Sequence, residues 1–363
     1  MSNLINRRNA LNFAPIHSFN QPLNKEIFTV GPIEIPPQIT FSPTKKIIYS
    51  ISSIVSLGLL PLIHYGLSRV IAMNILPAML ATQEKKNYNS AVKNSFAKQQ
   101  PEIFQEFDLK LDDCAVVNGM AVFKNGAEKA DFTAKNAQSQ QWMINFNGNG
   151  QFYEEGLARF QEYGKNHEVN VLAFNYRGVG ESQGEALNPS AWIADGEACV
   201  RYLLSKGVLE ENIYIPGLSL GGAIGTQVAS LHEKIELINE RSFGRLSDAA
   251  AALTENFLIG TLFRALGWEL DNVKAYEKIT ARKLIIFHPQ DALMCESSLY
   301  RMVKESIKKN NPAAVEYRTC KGRLKNRLKP EFKPDRVKLQ KDFGHVTSLA
   351  HNYDIQSDAT YPQ

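Results

Sequence analysis

The spacing of apolar positions changes twice along this chain, and each change marks a segment. Residues 1–44 hold no sustained period and include "GPIEIPPQITFSP", which reads as an irregular lead. From Ile47 to Gln83 the only charged residue is Arg69. The first part of that run, "IIYSISSIVSLGLLPLIHYGL", is long enough to cross about 30 Å of hydrocarbon at ~1.5 Å per helical residue. Lys45 and Lys46 flank it on one side and Arg69 on the other, and Pro61 and Pro77 kink any helix they enter. Serines at 50, 52, 53 and 56 and His64 dilute its apolar character. Three readings of 45–83 stay open: a membrane-spanning helix, a helix lying in one leaflet, and a hydrophobic arm packed on the main domain. A polar, lysine-bearing connector covers 84–104.

Beyond the connector, "FDLKLDDCAVVNGMAVFKNG" alternates as an antiparallel hairpin does. Three short apolar runs then recur, each followed by a turn and a helical pattern. They are "WMINFNGNG" with a helix near 152–165, "VNVLAFNYRGVG" with one near 190–206, and "NIYIPGLSLGG" with one near 220–231. "IELINERSF", "KLIIFHPQD" and "AAVEYRT" follow as further strands. Strand–helix alternation over 105–363 predicts an α/β fold, a mostly parallel sheet with helices on both faces. The segment "ALTENFLIGTLFRALGWELD" between two of these strands reads as a sheet-packing helix that also forms a partial cap.

Composition narrows the function classes. The chain of 363 residues is 44% hydrophobic, 21% charged and carries a net charge of +4. That balance, without a zinc-finger, RRM-like or basic-region pattern, excludes nucleic acid as the expected partner. No metal or cofactor motif appears, so none is expected. Cys114, Cys199, Cys295 and Cys320 form no CxxC pair, which points to free thiols in a reducing compartment. The first 44 residues are polar and broken by proline, unlike a signal peptide.

Two serines fit G-x-S-x-G: Ser219 in "GLSLG" and Ser182 in "GESQG". A nucleophile elbow needs a buried strand entering the first glycine, small neighbours at i−2 and i+2, and a helix starting at once. Ser219 meets all three, since "IYI" enters through Pro216 and Gly217, and Gly221, Gly222 and Ala223 lead into "IGTQVASL". Ser182 lacks the strand and the helix: "RGVG" separates it from Tyr176, and Pro189 follows in a loop.

A serine hydroxyl needs a histidine to take its proton and a carboxylate to orient that histidine. On this architecture the partners follow in the order serine, acid, histidine. His345, in "KDFGHVTSL", is the candidate base, with His288 and His351 as alternatives. Asp291, one short turn after "KLIIFH", is the candidate acid, with Glu240 and Asp342 as competitors. The oxyanion hole is expected to combine the backbone N–H of Leu220 with that of Asn149, in the Asn147–Gly150 loop after "WMINF".

In this order "NFNGNG", "NYRGVGES", "GLSLGG", "HPQD" and "FGH" resemble the α/β-hydrolase superfamily over about residues 105–350. The "NYRGVGES" turn before "GLSLGG" is similar to serine hydrolases that include lipid hydrolases and protein depalmitoylases. "NFNGNGQFYE", "NERSFGRLSD" and the apolar N-terminal region resemble more closely the CHLPS family. That chlamydial-type hydrolase group also includes Legionella proteins delivered to host cells by type IV secretion. Most relatives carry His-Gly where this sequence has Asn147-Gly148. The resemblance implies a triad of Ser219, Asp291 and His345.

Between Lys321 and Lys341 nine Lys or Arg residues face only Glu331 and Asp335. Two readings compete, a solvated connecting loop and an attractor of anionic headgroups at about 1 kcal/mol per basic residue. With the apolar run 47–83, the leading expectation is an acyl ester or thioester substrate at a membrane. The localisation expected is membrane-associated, in a host cell for a secreted effector and otherwise on the cytoplasmic side. A catalytically silent membrane-bound scaffold and a serine peptidase are the alternatives.

Overall fold

The computed structural model describes residues 25–38, 45–46, 49–50, 52, 59–130, 132, 136–287, 297–310, 316–318 and 335–339. The expected hairpin is present. β2 (Phe104–Lys110) and β3 (Val116–Val122) pair antiparallel, with Phe104 opposite Val122 and Lys110 opposite Val116. Next come β4 (Trp142–Asn145), β5 (Asn170–Phe174), β6 (Ile213–Leu218), β7 (Glu236–Glu240) and β8 (Lys283–Phe287). With β1 (Glu26–Thr29), β9 (Glu316–Arg318) and β10 (Asp335–Leu339) the sheet order is β1-β2-β3-β5-β4-β6-β7-β8-β10-β9, and from β5 to β9 every neighbour is parallel. The central strands WMIN and NVLAF are buried at every position, as parallel strands covered on both faces must be.

Two strands depart from expectation. Within the lead read as irregular, β1 (Glu26–Thr29) adds to the sheet edge parallel to β2, and Val30 after it is buried. Within the basic stretch, β10 (Asp335–Leu339) lies between β8 and β9 (Glu316–Arg318), so this part is sheet and not connecting loop. In "DRVKL" the apolar residues Val337 and Leu339 alternate with Arg336 and Lys338, a period-2 pattern that the density of charge hides.

Helices α1 (Leu59–Ile75) and α2 (Gln83–Gln99) precede the hairpin. Thr82 caps α2, its side-chain oxygen accepting from the Lys85 N–H at 3.2 Å. α3 (Leu157–His167) buries Leu157, Phe160, Tyr163 and Gly164, the stripe that 3.6-residue periodicity requires. α5 (Leu220–Ala229) packs on β6 and β7, and α4 (Ser190–Ser205) packs on α5 and β2. The segment read as a partial cap, 252–271, holds α7 (Phe257–Ala265), which forms a helical hairpin with the preceding α6 (Leu246–Leu253), and α8 (Asn272–Lys278) follows. α9 (Leu299–Asn310) packs beside α8. Among the described residues no helix is long and apolar enough to cross a membrane. Within 45–83, α1 rests on the domain through Ser68, Ile71 and Ala72.

One ion-pair cluster behind the sheet gives the fold a pH dependence. His232, after α5, has Nε2 2.8 Å from Glu197 Oε2 of α4 and Nδ1 2.8 Å from Glu210 Oε1. A neutral imidazole has one N–H, so both carboxylates are served only by the imidazolium. Burial opposes that charge, but the hydrogen bonds and charges of Glu197 and then Glu210 outweigh it and raise the His232 pKa above its usual value. The resulting stability is complete below the ordinary histidine pKa and is lost as pH rises through the raised folded value. Urea unfolding should therefore show wild type losing more stability than His232→Gln between about pH 6 and about pH 9. Equal losses would remove this pair as the cause.

Candidate active site

Strand β6 runs through Gly217 and Leu218 into Ser219, and α5 begins at the next residue. Ser219 takes φ 55° and ψ −117°, a conformation that a residue with a Cβ adopts at a cost of about 1–3 kcal/mol. The glycines around it are required by distance. A Cβ on Gly217 would lie 2.5 Å from the Gly221 carbonyl carbon and from the Gly222 nitrogen. A Cβ on Gly221 would lie 2.1 Å from the Phe146 carbonyl oxygen and 2.7 Å from that of Asn147. The start of α5 is thus pressed against the end of β4 and the loop that leaves it. The Ser219 N–H donates to the Glu240 carbonyl at 2.9 Å, which ties the elbow to the end of β7.

Both backbone groups expected to hold an oxyanion border this contact. Leu220 is the first residue of α5, so its N–H has no acceptor within the helix. In the Asn147–Gly150 loop, the Gly148 N–H is taken by Gln151 Oε1 at 2.8 Å. The Gly148 carbonyl accepts from the Gln151 N–H at 3.2 Å, and the Asn149 carbonyl accepts from the Ala78 N–H at 3.4 Å. These bonds fix the peptides on both sides of Asn149, and its own N–H has no acceptor among the described residues. Asn147 serves the frame: its side-chain NH₂ donates to the Phe174 carbonyl at 2.8 Å and its Oδ1 accepts from Asn145 at 2.8 Å.

The second G-x-S-x-G serine has a different part. Gly178, Gly180 and Gly184 have φ 78°, 59° and 111°, a turn that winds back on itself after β5. Inside it the buried Ser182 hydroxyl donates to the Asn175 carbonyl and accepts from the Asn118 N–H, both at 2.8 Å. Its hydrogen-bonding capacity holds the ends of β3 and β5 together. Ser182→Ala strands both backbone groups and should cost about 1–3 kcal/mol of stability in urea unfolding while leaving Ser219 reactive. A loss of reactivity in the folded variant would contradict that division.

Around this turn lies a polar network that the sequence did not signal as a unit. Buried Lys93 of α2 bridges Glu106 and Glu181, each at 2.6 Å. Asn118 bonds Glu106 at 2.9 Å and accepts from the Tyr153 hydroxyl at 2.9 Å, while Asn175 donates to Glu154 at 2.9 and 3.0 Å. Burial raises the Glu154 pKa against the hydrogen bond from Asn175. The available signal was asparagine at strand ends, in "VVNG", "NFNGN" and "FNYRG".

Among the competing acids, Glu240 is fully buried and its carboxylate is bound by the Arg241 guanidinium at 2.5 Å. Asp291 and His345 lie outside the described residues, as do His288, Asp342 and His351. Asp291 follows the end of β8 at Phe287, and His345 follows the end of β10 at Leu339. Both strands run parallel to β6 and so end at the edge that carries Ser219.

The model of the Chlamydia CHLPS protein family (DUF818) matches residues 39–312, about three quarters of the chain. The chain belongs to this family. A crystallised alpha-beta hydrolase from Vibrio vulnificus shares the fold of this CHLPS family member at 16% identity. The match covers 91% of this chain and 98% of that one, with a TM-score of 0.54. An esterase from Pyrococcus furiosus aligns over 72% of this chain and 90% of its own, at 15% identity and TM-score 0.49. The multifunctional-autoprocessing repeats-in-toxin protein of Vibrio vulnificus is 31% identical over 94 residues, which is 26% of this chain. The chain spans 2% of that toxin's length. The shared architecture is the α/β-hydrolase fold.

In this CHLPS family member the N-terminal arm reaches the same edge as Ser219. Tyr65 donates to Glu185 at 2.7 Å and Arg69 pairs with it at 3.3 Å, just beyond the "GESQG" turn. On the other side His64 Nε2 lies 3.2 Å from the Leu266 carbonyl at the end of α7. α1 therefore bridges the "GESQG" loop and the α6–α7 hairpin, and the turn that follows it reaches Asn149. A cavity of about 360 Å³, lined by Ile35, Gln227, Asp271 and Lys278 among others, does not touch the elbow.

Proposed function

We propose that this protein is a serine hydrolase that cleaves carboxylic ester or thioester bonds through an acyl-enzyme on Ser219. The observation that carries the reading is the strained elbow: a serine at φ 55° between a buried strand and a helix, with Gly217 and Gly221 in backbone contact. In the reaction His345 takes the hydroxyl proton as Ser219 Oγ attacks the carbonyl, and Asp291 orients the imidazole. The positions of both in the sequence, after strands that end at the Ser219 edge, support these roles. Leu220 and Asn149 N–H groups stabilise the oxyanion, at about 3–4 kcal/mol for a donor. The proton then passes to the leaving alcohol or thiol, and water releases the acid by the same steps in reverse.

The substrate in this reading is an acyl chain presented at a membrane, in keeping with the exposed apolar side chains of α1 and the basic residues 321–341. A role as an effector acting on host membranes is in keeping with the partial match to a repeats-in-toxin protein. The test is turnover of p-nitrophenyl esters and acyl thioesters from acetyl to palmitoyl, with and without lipid vesicles. The reading expects long-chain substrates to be hydrolysed faster when vesicles are present. Cleavage of soluble short-chain esters alone, by protein that does not sediment with vesicles, would overturn the membrane part.

A further inference from the structure

Helix α1 leaves most of its large apolar side chains facing outward. His64, Ser68, Ile71 and Ala72 face the domain, while Leu59, Leu62, Ile63, Leu67 and Val70 point away, between 39% and 64% exposed. These five positions form one apolar stripe at helical spacing, with Tyr65 and Arg69 on its border. Helix α7 repeats the arrangement. Gly260 is its buried position, packed against the Ser247 carbonyl, while Phe257 is 76% exposed, Leu258 59% and Leu262 38%. The two helices meet where His64 reaches the Leu266 carbonyl.

What covers this surface follows from three features. Upstream of α1 the sequence stays uncharged as far as Ile47, where Lys45 and Lys46 precede it. Its bordering Glu185 is occupied by Tyr65 and Arg69, and Asp248 is occupied by Arg264. The apolar side chains of α1 are then bordered by Tyr65 and Arg69, the composition of a helix lying in a lipid interface, and Glu255 is the acidic residue at the edge of the hairpin.

We propose that α1 and the α6–α7 hairpin together form a membrane-docking surface that sets the Ser219 edge on one leaflet. The acyl chain that the enzyme cleaves is then drawn from that leaflet. Leu62, Ile63, Phe257 and Leu258 enter the acyl region, Lys45 and Lys46 reach anionic headgroups, and Glu255 in the hairpin turn stays at headgroup level. The proposal deepens the hydrolase reading and rests on its membrane clause, but adds a second docking element 190 residues from the first in sequence (Phe257 against Leu67).

The test is flotation of the full chain with vesicles of phosphatidylcholine containing phosphatidylglycerol. The variants are Leu62→Glu/Ile63→Glu, Phe257→Glu/Leu258→Glu and the milder Phe257→Ala/Leu258→Ala. All replace exposed side chains, and labelling of Ser219 in solution by a fluorophosphonate reports that each remains folded. Each glutamate pair should lower vesicle binding at least about tenfold, and the alanine pair by a smaller but measurable factor. Wild-type binding by both hairpin variants, with loss in the α1 variant, would overturn the two-element surface and leave the membrane reading standing. Failure of wild type to float would overturn both.

Discussion

Ser219→Ala is expected to lower ester turnover by on the order of 10⁴-fold or more while the protein remains folded. The hydroxyl is the group that forms the acyl-enzyme, and neither an oxyanion hole nor a bound substrate replaces it. Stability moves the other way at the same position. Because Ser219 holds φ 55°, alanine inherits the strain and glycine relieves it. Ser219→Gly should therefore unfold at higher urea than Ser219→Ala, by about 1 kcal/mol, with both inactive. Equal stability of the two variants would show that the elbow is unstrained.

Gly221→Ala is expected to have the largest structural effect of any one-carbon change at the site. The new methyl would lie 2.1 Å from the Phe146 carbonyl oxygen, a backbone atom at the end of a central strand. Relief requires that α5 move away from β4, which displaces Leu220 and the Asn147–Gly150 loop together. A cost on the order of 3 kcal/mol or more is expected, with activity lost even where folded protein is recovered. Gly150→Ala is the control, because a methyl there meets nothing within 4 Å. Urea unfolding and ester turnover of the two variants check the contrast, and a Gly221→Ala enzyme of normal stability and rate would contradict the close contact.

The elbow was legible because its requirements are local. Apolar residues entering Gly217 and small ones leaving Ser219 mark a strand, a tight turn and a helix start in sequence order, and GESQG lacks the first and last. The β2–β3 hairpin was legible for the same reason, through alternation from Phe107 onward, although β2 begins earlier, at Phe104. β1 was not, because "EIFT" gains its strand conformation from pairing with β2, about 80 residues away in sequence, within a proline-rich lead. β10 was hidden by its charges, and the Lys93–Glu106–Glu181 bridge by the distance along the chain between its members. The N-terminal apolar run is legible as unusual, but its hydrophobicity alone does not say that α1 turns Leu59, Leu62, Ile63, Leu67 and Val70 outward.

The central claim is that Ser219, and not Ser182, is the nucleophile. Fluorophosphonate-treated protein digested with trypsin gives one peptide from Gly207 to Lys234 that carries Ser219 and another from Gly178 to Arg201 that carries Ser182. The adduct is expected on the first, with fragment ions locating it at Ser219. An adduct on the second peptide, or none on native wild type, would contradict the account.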